Sequence, residues 1–472
     1  MIEPAPPPAE TYSPQLRTAL VLTGTGTAGA YHAGVLRALH EAGVKLDIVA
    51  GRGVGVVGAL FAAIDGAQRL WEDGGFWRAP AVRTFYPWRG ILQLGAWSIV
   101  VALATVAVPI AAMAVGLIVF PIDFVLKMVG VGGASGLSGA YLRFAESAFA
   151  PSGLPTWLPR LAVLVLATAG AIALVTGLQN SGTRRHRGRF WWRAVRSPLS
   201  SSEITEHSWH VMWELIRGAA RLKQPLPAEI GRRYTELLAE NLGQPGFREL
   251  LITVHDLDAH RDLVFALVGE VRRRGLVTRP TTSAADARRA EVFDLSGIGR
   301  DHLADALAGA LAVPLATDVH EMRLAPEGYW RGETHRVCDR PGSLTRLLEE
   351  LADLGVEQAI IVSASPETPG PHALAAPRLE GRGRIGEYLQ SSEASAVRDA
   401  TQTVSAGVAR LFTIRPEHNP VGPFDVTGGY DDRSDRPQPL AELMARGYED
   451  AYRQFVEPVV GASGERVGQG AL

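Results

Sequence analysis

Between Arg17 and Ile64 the sequence RTALVLTGTGTAGAYHAGVLRALHEAGVKLDIVAGRGVGVVGALFAAI runs twice through strand, glycine turn and helix. Thr18 to Leu22 is a short run of apolar and β-favouring residues halted at Gly24. Ala30 to Ala42 has helical spacing, with Tyr31, Gly34, Val35, Ala38 and Leu39 on one face and Gly43 at its end. Leu46 to Ala50 is a second apolar strand, and Gly51-Arg52-Gly53-Val54-Gly55 turns at once into a buried helix, Val56 to Ile64. Each turn sets backbone N–H groups and a helix dipole at one edge of a parallel sheet, a placement that suits an anion or a developing oxyanion. Such a unit implies an α/β fold with a mostly parallel central sheet.

The first turn, GTGTAG, also matches G-x-G-x-x-G. That fingerprint wants an acid near the end of the second strand. Asp47 falls at its start and a second glycine turn follows directly, so a nucleotide-binding module is a weak alternative and no cofactor is expected.

The two turns together resemble the patatin-like phospholipases. LTGTGTAGAYHAGVLRAL is similar to that family's oxyanion loop and the Gly-x-Tyr-x-x-Gly-Val-Leu helix behind it. DIVAGRGVGVVGALFAA is similar to its nucleophile elbow, Asp-x-Ile-x-Gly-Thr-Ser-x-Gly, and the spacing between the two agrees. The resemblance implies a three-layer α/β fold, lipid acyl hydrolysis and a Ser–Asp dyad. At the serine position stands Gly53, preceded by Arg52 where threonine is usual, and the loop's customary basic residue is Ala28. An elbow nucleophile is a hydroxyl exposed on a sharp, strained turn, and glycine has none to offer. The family's Tyr-x-Asp-Gly-Gly turn corresponds best to Gly328-Tyr329-Trp330-Arg331-Gly332-Glu333, ahead of a helix at Leu344 to Leu354 and a strand at Gln358 to Ser363. The acid's place is then Arg331. A rival alignment on Thr427-Gly428-Gly429 also lacks the acid, with Asp425 two residues away. The expected anion site, in place of a catalytic one, is Gly24, Thr25, Gly26, Thr27, Gly29, Arg52 and Val54, with Arg331 facing the same cleft.

The 472 residues carry a net charge of −2, which gives no nucleic-acid signature, and the lone Cys338 excludes a disulfide framework. Hydrophobic residues make up 47%, and the excess is local. Gly90 to Ile122 holds no charge, with Pro109 at its middle. As one helix it would run about 50 Å against about 30 Å of hydrocarbon, so it reads as a kinked span or a re-entrant pair. Leu161 to Leu178 is a second uncharged run, followed by RRHRGRFWWRAVR. Arg78, Arg83 and Arg89 precede the first run, while the connection between the two is nearly neutral. Basic, aromatic-rich outer flanks predict a two-span hairpin, with the main domain and both termini cytoplasmic and Gly130 to Pro159 on the far side.

Residues 1–16 read as a disordered, proline-rich lead without a signal sequence, 17–75 as the first half of the patatin-like domain, and 76–200 as the membrane insertion. Residues 201–416 complete the domain, with a capping box expected at Ser200-x-x-Glu203, and 417–472 form a C-terminal helix and tail. His255, Asp256, Asp258 and His260 in HDLDAH read as a strand end and polar turn rather than a metal site. Thr23, Thr25 and Thr27 are formal substitute nucleophiles, but nothing in the sequence sets a base beside them. The expectation is a membrane-anchored, catalytically inactive homologue that binds membrane lipids, an anionic lipid or acyl ligand in the former cleft, or a protein partner or second copy. An active hydrolase with an unrecognised nucleophile is the alternative.

Overall fold

The computed structural model describes residues 11–130, 136–179, 197–278, 285–367, 380–404, 407–431 and 433–460. In chain order the elements are β1 (Thr18–Thr23), α1 (Ala28–Glu41), β2 (Ile48–Gly51), α2 (Gly55–Ala63), α3 (Gly90–Met128), α4 (Leu137–Ala148), α5 (Leu154–Gln179), α6 (Ser202–Arg217) and α7 (Pro227–Asn241). There follow β3 (Glu249–Asp256), β4 (Arg261–Leu267), α8 (Glu270–Thr278), α9 (Ala285–Glu291), β5 (Val292–Asp294), α10 (Leu303–Leu311), β6 (His320–Arg323) and β7 (Thr334–Cys338). The last are α11 (Ser343–Asp353), β8 (Gln358–Ser363), α12 (Gly381–Val404), β9 (Arg410–Ile414), β10 (Gly429–Asp431), β11 (Arg436–Gln438) and α13 (Leu440–Ala451). They fall into two compact units, one from the segments before Trp88 and after Pro198, the other from Trp88–Pro198.

The first unit is built on a sheet ordered β5-β4-β3-β2-β1-β8-β9, with β6 and β7 joined at the side. β1 lies parallel between β2 and β8, and β2–β3 and β8–β9 are parallel too. β4, β5 and β7 run against the others: β4 and β7 pair antiparallel with β3, β5 lies parallel to β4, and β6 pairs antiparallel with β7. Strand periodicity divides the apolar side chains between two faces. Leu20, Leu22, Val49, Ile252, Ile360 and Val362 join a core with α1, α2, α6, α10 and α13. Ala19, Val21, Ile48, Leu251, Ala359 and Ile361 join a second core with α11 and α12. This is the three-layer α/β architecture, with the central strands buried on both faces, as parallel sheets require.

Most expected elements are present within a few residues. α12 ends at Val404, and Arg410 begins β9 by pairing with Gln358 of β8. The capping box is not formed: Ser201 is the N-cap of α6 without a side-chain bond, and Ser200 Oγ accepts the Ser202 N–H at 3.3 Å instead. The insertion also begins later than residue 76. Phe76, Trp77, Phe85 and Tyr86 are buried in the α/β core, and Ser200 N–H donates to Pro87 C=O at 3.1 Å, so the chain leaves and rejoins this unit at one point.

In the second unit α3 is a single helix of 39 residues running through Pro109 and Pro121, which removes the re-entrant alternative. At 1.5 Å per residue it is about 58 Å long, ample for a bilayer core of about 30 Å. Its stretch Leu92–Met128 is long and apolar enough to cross a membrane. Trp97, Leu103, Met113 and Leu117 are each about two-thirds exposed or more. α5 packs along α3 and is apolar over Thr156–Ile172, a shorter length. The basic stretch Arg184 to Arg196 lies outside the described residues.

Candidate functional site

The elbow is formed as the sequence implies. β2 stops at Gly51, α2 starts at Gly55, and between them Gly53 sits at φ +55°, a left-handed conformation that costs a side chain about 1–2 kcal/mol. The turn is pinned to the first glycine loop: Arg52 N–H donates to Leu22 C=O at 3.2 Å and Val54 N–H to Gly24 C=O at 2.9 Å. That second bond closes the elbow. A Cβ at Gly53 would lie 2.2 Å from the Gly24 carbonyl oxygen, so the space a nucleophile's side chain needs is filled by backbone.

Asp339 faces this position. β3 extends beyond β2, and the free edge so created pairs with β7, His255 with Cys338 and Asp256 with Val337. The residue after β7 is thereby delivered beside the elbow, where Asp339 N–H is held by Ala312 C=O at 2.8 Å. Asp339 Oδ2 lies 2.9 Å from the point a Cβ at Gly53 would occupy. The acid of this site is therefore Asp339, and Arg331 is not its replacement. Arg331 is exposed in the β6–β7 turn at φ +46°, at the opposite end of β7, about 17 Å of strand away at about 3.4 Å per residue. Thr427, of the rival alignment, is exposed as well.

Arg52 does not face a cleft either. Its side chain is wholly buried, and Nη1 donates to Asp339 Oδ1 at 2.6 Å. Nε donates to Thr23 Oγ1 at 2.8 Å, and Nη2 pairs with Glu393 on α12. Thr23 Oγ1 in turn donates to Glu393 Oε1 at 2.6 Å. One guanidinium thus serves two buried carboxylates and has no charge to spare for a ligand. The surroundings are dry and tightly held. Burial, more than the neighbouring Arg52, pushes the His32 imidazole down to about 4 although its Nε2–H donates to Thr23 C=O at 3.1 Å. Burial and then the charge of Asp339 push the Tyr86 hydroxyl above the ordinary tyrosine range. The same two causes push the Cys338 thiol up to about 12, which makes it a poor nucleophile.

The glycine loop is capped from the other side. Thr27 N–H donates to Pro423 C=O at 2.9 Å and Thr27 Oγ1 to Gly422 C=O at 2.8 Å. A Cβ at Gly26 would lie 1.8 Å from the Pro423 oxygen, so only glycine admits this approach. Between Gly24, Thr25, Glu393, Asn419 and Val421 there remains a cavity of about 20 Å³, room for about one water molecule. Gly24, Thr25, Gly26, Thr27, Gly29, Arg52 and Val54 are thus brought together, but the amides of Thr27, Gly29, Arg52 and Val54 are spent inside the fold. Thr25 Oγ1 donates to Asp339 Oδ2 at 3.4 Å, a neighbour that no local sequence signal sets beside it.

The HDLDAH residues are dispersed among pairs, His255 with Asp262, Asp256 with His335 and Asp258 with Arg336, while His260 sits in the turn at φ +56°. No cluster fit for a metal ion is found among the described residues.

A mostly parallel sheet, a glycine loop over its edge and a G-x-G-x-G elbow facing an aspartate define an α/β acyl-hydrolase framework whose nucleophile position is glycine. The framework is similar to that of the patatin-like phospholipases, whose family model matches residues 20–115. A stretch of 60 residues is 47% identical to patatin-like phospholipase domain-containing protein 6 of Homo sapiens, and equally to that of Mus musculus and of Pongo abelii. It represents 12% of this chain and 4% of those much longer relatives. Among solved structures, VipD from Legionella pneumophila aligns with 94% of this chain and 67% of its own, at 13% identity and a TM-score of 0.32.

Proposed function

We propose that the protein is a membrane-anchored patatin-like phospholipase homologue that does not hydrolyse lipid. The observation that carries this reading is the Gly24 carbonyl, 2.2 Å from where a nucleophile's Cβ would begin. Acyl transfer needs nucleophile, base and oxyanion donors together, and without the nucleophile only residual catalysis survives. Here the acid is also tied to Arg52, and the Thr27 and Val54 amides are already bonded. The same observations argue against an anionic lipid in this cleft, because Arg52 is neutralised and Arg331 lies elsewhere. Anchoring rests on α3, and the arginine-rich flanks favour the cytoplasmic face of the membrane for the α/β unit and both termini. What remains for the framework is a role in the membrane through lipids, a protein partner or a second copy.

One observation favours a second reading, in which Thr25 acts as nucleophile with Asp339 as its base. Against it stand the 3.4 Å separation and the competing, shorter bond from Arg52. Membranes containing the full chain, treated with a fluorophosphonate probe and assayed on phospholipid and acyl-thioester substrates, separate the two. Absence of labelling and turnover supports the first reading. Labelling abolished by Thr25→Val replaces it with the second.

A further inference from the structure

The opposite edge of the central sheet carries a cavity of about 900 Å³, where β1, β2 and β3 begin. That size is within the range of small-molecule sites, whereas the elbow cavity is not. Its lining is divided in character. Val44, Leu46, Leu242 and Phe247 form an apolar wall, and Arg17, Lys45, Arg248, Arg272 and Arg273 bring five cationic groups against three acids, Asp47, Glu249 and Glu270.

Pairing is uneven among them. Glu249 is nearly buried and is shared: Oε2 pairs with Arg17, while Oε1 accepts from Arg272 Nη1 at 3.2 Å and from Gly269 N–H at 2.9 Å. Two guanidiniums therefore answer to one carboxylate. Arg248 spends its Nη1 on the carbonyls of Ala62 and Gly246, and its nearest carboxylate, Asp65, is 3.9 Å away. Arg273 is matched by Asp294 and Glu270, and Lys45 by Asp47 at 3.2 Å. Around Glu249, two guanidiniums against one carboxylate leave about one positive charge beside an apolar wall, and this nearly buried glutamate positions the arginines before any ligand arrives.

We infer that this groove binds a small amphiphilic anion, its phosphate or carboxylate on Arg17 and Arg272 and its apolar body along Leu46, Leu242 and Phe247. Guanidiniums match the planar, bidentate demand of such heads, and preorganisation by Glu249 lowers the ordering cost of binding. The site is remote from the elbow and is independent of whether the elbow is inert. Either an acyl or alkyl phosphate or a nucleoside monophosphate would satisfy the same chemistry.

The test is calorimetry on the full chain in neutral-lipid nanodiscs, titrated with hexyl phosphate, adenosine monophosphate, inorganic phosphate and hexanol. Saturable binding of hexyl phosphate or adenosine monophosphate, about tenfold tighter than inorganic phosphate, is expected, and the tighter of the two identifies the source. Lys45 and Arg272 are substantially exposed, so Lys45→Gln with Arg272→Gln should leave thermal unfolding unchanged and weaken binding about tenfold or more, the scale of one lost charge-assisted bond. Leu242→Ser should remove the preference over inorganic phosphate. No saturable binding, hexanol binding as well as hexyl phosphate, or equal affinity in wild type and the double variant would overturn the inference.

Discussion

Two glycines with the same positive φ provide a measure of how far the elbow has closed. Gly53 and Gly218 both sit at φ +55°, so a serine at either strains the backbone, by about 1–3 kcal/mol. Gly218 caps α6 with nothing within 4 Å of a new Cβ, whereas at Gly53 that atom would stand 2.2 Å from the Gly24 oxygen and 2.9 Å from Asp339 Oδ2. Relieving the contact means displacing the Gly24 carbonyl, at about 1–3 kcal/mol for overpacking, and unpairing Val54 N–H, at about 1–3 kcal/mol more. Gly218→Ser should therefore cost about 1 kcal/mol and Gly53→Ser about 3 kcal/mol beyond that, roughly a hundredfold in the unfolding equilibrium. Urea unfolding of the full chain in nanodiscs, followed by tryptophan fluorescence, gives both numbers. Fluorophosphonate labelling of the folded Gly53→Ser protein should be absent. Equal losses at the two positions, or rapid labelling of the introduced serine, would show that the elbow is open and merely lacks its nucleophile.

Removing the buried cation should be severe: Arg52→Met strands Asp339 and Glu393 together, an expected loss of about 3–5 kcal/mol in the same unfolding assay, and adding Asp339→Asn should return part of it. Acid should also weaken the fold through His32, whose folded value of about 4 lies below its ordinary 6.5. The folded state then binds fewer protons, so this contribution is complete above about pH 6.5 and declines towards pH 4 by up to about 3 kcal/mol, a slope that His32→Gln should flatten in urea midpoints. For topology, the only cysteine is buried, so single introduced cysteines report without background. Gly139→Cys should react with an impermeant maleimide from the far side of the membrane and Gly218→Cys from the cytoplasmic side, and reaction of both from one side would sink the hairpin.

The opening βαβα unit was legible because its signals are local: apolar runs, helical spacing and glycines at turns. The same holds for α11 and β8, each found within a few residues of its expected bounds. Asp339 was not legible, for a topological reason. Thr334 to Cys338 is short, three polar residues ahead of two apolar ones, and its register on β3 is fixed only because β2 ends early. No sequence window around Gly53 contains that pairing. Arg331 was proposed instead because a Tyr-x-x-Gly pattern matched a local motif, while the structure uses it as an exposed hairpin turn. Arg52 was misread for a related reason. Its environment is set by Glu393, far along the chain in α12, so a residue that looks like an anion ligand in its own turn is a buried counter-ion.

Those two corrections are connected. Arginine at the position before the elbow glycine is as unusual as the glycine itself, and the pair makes sense only together. A serine here would need Asp339 free as its base, yet Arg52 holds that carboxylate at 2.6 Å and bridges it to Glu393. Conversely, with Gly53 lacking a side chain, two carboxylates packed beside the turn would repel each other in a dry site, and the guanidinium offsets this. Arg52 thereby ties the end of β1, through Thr23, to the end of β7 and to α12. The groups that catalysis would require to move have become a cross-brace between the layers. Reinstating the nucleophile alone therefore adds a hydroxyl to a joint, and any return of hydrolysis needs Arg52 to be replaced as well and the Gly24 carbonyl to turn away.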